Sequence, residues 1–338
     1  MLDGNPKATP WIRLNTQAVV LAVAALLWAF LAIKTSNIGR GDEELYSRFL
    51  NLDNIQNIMK QMAIQGVIGI GAVLVILTAG IDLSIGSLIA VVNVCMAMLL
   101  KNAGLPMMAV IPLVLGLSML VGLGNGVLVH DLKLPPFIAT LGMMSILRGA
   151  ALLISGGRTI SGLPTALKDF ATARFLYLPA LFWVLIGVVV VVEAVLRKTT
   201  FGRYVYAIGS NREAARLSGV NVRFVTYGVY TLASLLGGIA GCMQTARDWQ
   251  GSPTTGATFE LDAIAAAVIG GTLLSGGVGY LAGTLMGVLA FGLIQTLITN
   301  KGTLSSWWTS IAIGTLVLVF ILLQNIVVAL SRKSAKQA

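Results

Sequence analysis

The chain has 338 residues, of which 57% are hydrophobic and only 11% charged, and its mean hydropathy is +0.88. Soluble domains carry about a quarter of their residues as charges, so this composition excludes a soluble enzyme and defines an integral membrane protein. The net charge of +10 lies in short segments between apolar runs, as expected where Lys and Arg stay in cytoplasmic loops; no single basic patch offers itself to nucleic acid.

A helical span needs roughly 20 apolar residues, and about ten candidates follow one another, near 18–33, 62–79, 84–101, 107–129, 136–155, 177–196, 225–246, 258–274, 280–299 and 306–330. Continuous runs without alternation make these helices and not barrel strands. The expected fold is an all-α integral membrane protein with about ten transmembrane helices, some of them broken. The first run follows Lys7 and Arg13 and ends in Lys34-Thr35-Ser36-Asn37 without a small-residue cleavage site, so it reads as a retained span.

Loop charges orient the bundle. Arg197, Lys198, Arg203, Arg212, Arg216 and Arg223 face the single acid Glu213, which places the loop 197–224 in the cytoplasm. Counting outward puts cytoplasmic tails at 1–17 and 331–338 around one transmembrane domain over 18–330. The exported loop at about 156–176, with Arg158, Lys168 and Arg174 against Asp169, runs against the charge rule. Upstream, Leu52, Ile55 and Ile58 at helical spacing predict a short interfacial helix over 51–58.

Several polar groups interrupt the apolar runs. In Thr78-Ala79-Gly80-Ile81-Asp82-Leu83-Ser84-Ile85-Gly86-Ser87, Gly80 reads as the end of one helix, with Asp82 or Ser84 as the cap of the next. The alternative gives Asp82 a coupling ion or a substrate hydroxyl, because carboxylates inside membranes are costly. Asn93 and Asn125 fall within spans, as does Gln295, and each is either a polar group on a solute path or glue between helices. His130, beside Asp131 and Lys133, reads as a solvated turn residue without metal-ligand partners. Arg148 either snorkels to the exported face or joins a polar pathway or subunit contact. Cys95 and Cys242 sit in apolar runs as small buried residues.

Farther on, Trp249 suits an interfacial anchor, and Glu260 and Asp262 suit the positive end of a helix that breaks at Gly270-Gly271. Gly279, Gly283 and Gly287 form a small-residue face for close helix packing. Acid-led helix starts at Asp82 and at Glu260 and Asp262 are a loose internal echo in opposite orientation, the pattern of an inverted repeat.

The longest polar island, 199–221, contains Ser210 followed by Glu213, a capping box, and Gly219, a helix terminator. It predicts a helix of about two turns over 211–218 between extended or turned segments. So short a helix must be held by packing, and the island reads either as a basic loop touching lipid headgroups or as a docking element.

Four motifs in order, Ile76-Leu77-Thr78-Ala79-Gly80-Ile81-Asp82-Leu83-Ser84-Ile85-Gly86-Ser87, Phe137-Ile138-Ala139-Thr140-Leu141-Gly142, Gly202-Arg203-Tyr204-Val205-Tyr206-Ala207-Ile208-Gly209 with Ala214-Ala215-Arg216-Leu217-Ser218-Gly219-Val220, and Glu260-Leu261-Asp262-Ala263-Ile264-Ala265-Ala266 with Gly270-Gly271-Thr272, carry a resemblance. The chain resembles the permease subunit of bacterial ribose-type sugar ABC importers over about 50–330. The resemblance implies the vitamin B12/ribose-type importer permease architecture in the inner membrane. It also implies three partners: a second identical or related permease, an ATP-binding cassette subunit that carries ATP and Mg, and a periplasmic sugar-binding protein. Ser210, Asn211, Glu213, Ala214, Ala215, Arg216 and Gly219 would then form the coupling helix that meets the ATPase. The stretch Thr303-Leu304-Ser305-Ser306-Trp307-Trp308 looks most like the galactofuranose-uptake branch. No Gly-Lys pair occurs, so no phosphate-cradling P-loop is expected. The rival is an ion-coupled secondary transporter using Asp82, Arg148, Glu260 and Asp262.

Overall fold

A computed structural model describes residues 52–300 and five separate helical positions between 311 and 322. The expected span at 18–33, both tails, the 303–308 stretch and most of the span at 306–330 lie outside the described residues.

Eight candidate spans appear as helices. They are α1 (Leu52–Leu77), α2 (Ile85–Lys101), α3 (Met107–His130), α4 (Pro136–Ser155), α6 (Ala180–Lys198), α9 (Val222–Asp248), α10 (Phe259–Ile269) and α11 (Leu281–Asn300). Between α4 and α6 lies the short α5 (Thr165–Thr172), and between α6 and α9 lie α7 (Thr200–Ser210) and α8 (Arg212–Leu217). Among the described residues, α1, α3, α4, α6 and α9 are long and apolar enough to cross a membrane, while α2 and the apolar part of α11 are shorter. The separate interfacial helix expected over 51–58 is absent: that stretch opens α1, because no Gly or Pro interrupts 52–65.

The core lies along α1, where Ile64, Ile68, Leu74 and Leu77 are fully buried, and α9 packs against α1, α2 and α3. Helices α3, α4 and α6 leave most of their apolar length uncovered, as lipid-facing helices do. On α11, Gly283 lies against Gly270, the cap at the end of α10, and Gly287 against the Ala266 carbonyl, so the small-residue face serves close packing.

The chain ends of the helices sort to two faces of the bundle. At one face, β1 (Ile160–Ser161) pairs antiparallel with β2 (Gln250–Gly251), and Lys101 Nζ donates to the Ser161 carbonyl at 2.6 Å. Trp249 Nε1 donates there to the Pro164 carbonyl, with Lys168 over its ring. At the other face lie the turn after α3, α7, α8 and the start of α9. The segment 156–176 therefore sits opposite the island, as the span count requires, despite its three cations.

Two helix pairs are broken, and they run in opposite senses. Helix α1 descends to the island face, where the Leu77 carbonyl accepts from Gly277 N–H at 3.0 Å, and α2 returns from the break to Lys101. Helix α9 ascends from the island face to Asp248. A non-helical segment, 250–258, extended at Gln250–Gly251 and turned from Pro253 to Thr258, then re-enters the bundle along α2, with Gly251 against Ala97 and Gly256 against the Gly86 carbonyl, before α10 runs back.

Candidate functional site

The two breaks meet. Gly86, in the first turn of α2, lies so close to Glu260 of α10 and to the Gly256 carbonyl that no Cβ fits there. Asp82, Ser84, Asn125, Tyr230 and Glu260 gather around this junction and are each at least nine-tenths buried. Asp82 Oδ1 accepts from Ser84 N–H at 2.8 Å and from the Ser84 hydroxyl at 2.6 Å. The same hydroxyl accepts from Asn125 Nδ2 of α3 at 2.9 Å. Tyr230 of α9 brings its hydroxyl against Gly80, where a Cβ would lie 2.8 Å away. Asp82 Oδ2, Asn125 Oδ1, Tyr230 OH and Glu260 Oε2 have no hydrogen-bond partner.

These contacts correct the expected capping. Helix α1 ends at Leu77, and the left-handed residue is Ala79 (φ 59°), not Gly80, whose bare Cα instead makes room for Tyr230. Ser84 stands at the N-cap of α2 without a side-chain cap bond, because its hydroxyl is spent on Asp82 and Asn125. Thr258, in the left-handed region, occupies the N-cap of α10, and its side chain makes no capping bond. Glu260 and Asp262 both lie in the first turn of α10, the positive end expected for them, but Glu260 turns inward toward Gly86 and neither acid is the N-cap. Gly270 and Gly271 (φ 88°) end α10.

Three of the four amide and guanidinium groups considered for a solute path act as pegs. Asn93 donates to Thr245 Oγ1 at 3.0 Å and to the Gln250 carbonyl, and accepts from Ser252 N–H. Arg148 Nη1 donates to the carbonyls of Pro253 and Thr255, each at 3.0 Å. Gln295 accepts from Gln61 Nε2 and joins α11 to α1. Asn125 alone of the four keeps an open oxygen at the junction. Tyr230 escaped sequence reasoning, since a tyrosine inside an apolar run reads as an interface residue and only its burial separates it.

The island is more helical than expected. Thr200–Ser210 is helix α7 and not an extended lead-in, and the second helix is six residues long. Its cap is Asn211, whose Oδ1 accepts from Ala214 N–H at 3.0 Å. Ser210 belongs to α7 and donates to the Tyr206 carbonyl, so it cannot supply the extended N-cap conformation. Glu213 pairs with Arg216 instead of closing a capping box, and that pairing holds its carboxyl below the usual range. Ala215 is buried, Gly219 (φ 84°) terminates the turn, and Arg212, Glu213, Ala214, Arg216 and Leu217 face outward. Arg212 Nη2 lies 3.4 Å from His130 Nδ1, and Arg223 Nη2 donates to Asp131 Oδ2 at 3.0 Å. These contacts tie the island to the turn after α3, and they make His130 half-buried and not a freely solvated residue.

Five helices among the described residues are long and apolar enough to cross a membrane, and unpaired buried polar groups gather where the two breaks meet, so the chain is a multi-pass membrane protein. The chain belongs to the permease family described as "Branched-chain amino acid transport system / permease component", which matches residues 54–322. It is 43% identical over 280 residues to the inner membrane ABC transporter permease protein YjfF of Escherichia coli K12, covering 80% of this chain and 83% of that one. It is 37% identical over 315 residues to the ribose import permease protein RbsC of Bacillus subtilis, covering 93% and 95%. To the fructose import permease protein FrcC of Rhizobium meliloti it is 37% identical over 283 residues, covering 81% and 78%. No solved structure matches. The resemblance to ribose-type ABC importer permeases is thereby shown, and the protein is a multi-pass protein of the inner membrane.

Proposed function

We propose that this chain is the membrane-spanning subunit of an ATP-driven, binding-protein-dependent importer that carries a monosaccharide inward. The observation that supports this reading is the exposed outer face of α8, a six-residue helix pinned at its base by Asn211, Ala215 and Arg212. Relatives named for ribose and fructose import set the substrate class. ATP and Mg would reside on a partner cassette subunit, a second identical or related permease would complete the pathway, and a periplasmic sugar-binding protein would deliver the solute. Galactofuranose is the first sugar to test, on the likeness of 303–308 to that branch. The test joins Glu213→Ala with Gly219→Val. Membrane insertion should persist while co-purification of the ATPase and sugar uptake both fall; full association and uptake in the double variant would make the island a plain loop.

A further inference from the structure

We infer that a hairpin at the exported end of α6 is a lipid anchor, its apolar tip seated in the exported leaflet and the cations of its segment on lipid phosphates. Neither the importer reading nor the charge rule accounts for this part of the chain. Arg158, Lys168 and Arg174 are all exposed and face the single acid Asp169. Arg174–Phe175 pairs antiparallel with Leu178–Pro179, which leaves a two-residue turn, Leu176-Tyr177. Both turn residues lie in the left-handed region, at φ 48° and 64°. Asn-Gly adopts that turn with least strain, yet here two bulky side chains are held in it against their steric preference. The strain lifts them out of the fold: Tyr177 is 88% exposed, Leu176 67% and Phe175 64%. Backbone strain that displays apolar side chains points to a surface outside the chain that receives them.

The attachment of the hairpin decides which surface. Pro179 closes the hairpin, is buried, and is also the N-cap of α6. The tip therefore stands at the end of a span whose apolar length is mostly uncovered. In the first turn of that span, Trp183 Nε1 donates to the Phe175 carbonyl at 3.0 Å, and its ring meets the Phe175 ring edge to face at 5.6 Å. The lipid that covers α6 is thus continuous with the tip. Tyr and Trp suit the headgroup level because each joins an apolar body to a polar rim. A soluble acidic protein would answer the charges but not this continuity with a lipid-facing span. The bilayer answers both, and the anchor fixes the depth of the exported end of α6.

Two measurements on the purified full chain test the anchor. With Cys95 and Cys242 replaced by Ala, a nitroxide on Tyr177→Cys is read in nanodiscs of phosphatidylcholine, with and without phosphatidylglycerol. Oxygen, which concentrates in lipid, should relax the label more than a water-soluble nickel chelate does. Phosphatidylglycerol should lower the nickel effect further, as the cations draw the segment onto an anionic surface. The second measurement joins Leu176→Asn with Tyr177→Gly, which builds the preferred turn without the apolar tip. In detergent its thermal midpoint should hold or rise; in nanodiscs it should fall roughly 2–4 °C below the wild type. A turn of purely structural importance would not give opposite signs in the two media. Nickel-dominated relaxation, shielding of the label only once the periplasmic binding protein is added, or indifference to phosphatidylglycerol would each overturn the anchor. So would a double variant whose midpoint falls in detergent or matches the wild type in nanodiscs. The importer reading survives all of these outcomes, because its own test reads ATPase association and uptake.

Discussion

The side-chain oxygen of Asn93 accepts the backbone N–H of Ser252, so a helix residue supplies the partner that a non-helical segment inside the bundle otherwise lacks. Non-helical backbone at membrane depth is tolerated only where protein satisfies it, and 250–258 meets that condition through Asn93 from α2 and Arg148 from α4. Replacing Asn93 by Leu, close in volume, should destabilise the chain by about 1–3 kcal/mol. Arg148→Leu should act similarly, and Arg148→Lys should recover only part of it, because one ammonium replaces a planar fork. Thermal midpoints in detergent and protease cleavage within 250–258 would check both.

Asn211 and Ser210 make opposite predictions about the island. Asn211→Ala removes the only cap of a six-residue helix, a loss of about 1 kcal/mol, and should weaken ATPase association roughly fivefold. Ser210→Ala removes a bond to the Tyr206 carbonyl within α7 and should have a much smaller effect. Pull-down of the cassette subunit by each variant decides; equal effects would restore Ser210 as the cap.

At Gly86 the first-turn backbone touches Glu260 and the Gly256 carbonyl. Gly86→Ala forces α2 and α10 apart in a packed region, where overpacking costs about 1–3 kcal/mol or more. A reduced yield of monodisperse protein by size exclusion is expected. Gly142→Ala on α4 meets nothing within 4 Å and should be neutral or mildly stabilising.

Acid should loosen the turn that holds the island. The Tyr227 hydroxyl, then the Arg223 guanidinium, hold the Asp131 carboxyl below its ordinary 3.8. The native state therefore binds this proton less readily than the unfolded chain, so the contribution is complete above about pH 4 and disappears as pH falls through the lowered value. Asp131→Asn should abolish that acid step, which thermal melts of both proteins across about pH 3–5 would show.

Apolar runs alone located eight of the helices, because burial in lipid demands continuous hydrophobicity and helical hydrogen bonding together. Charge counting placed 199–221 at one face, and counting spans outward from it placed 156–176 at the other, against the charge rule. Capping was misread where tertiary contacts outbid local ones: Ser84 spends its hydroxyl across the bundle, and Glu260 turns toward Gly86. For Asn93 the glue reading is the one the contacts bear out, but neither its partners nor those of Arg148 were legible, since the 250–255 carbonyls they bond lie more than 100 residues away. Tyr230 carried no local signal at all.

Thr199 ends α6 and begins α7. Its hydroxyl donates to the Val195 carbonyl at 2.6 Å and accepts from Gly202 N–H at 3.2 Å, so a single residue joins a membrane helix to the island with no slack between them. The joint behaves as a stiff elbow: a tilt imposed at α7 and α8 becomes leverage on the full length of α6, and stroke is not lost in a floppy hinge. Lengthening that joint by two or three glycines would turn a crank into a tether.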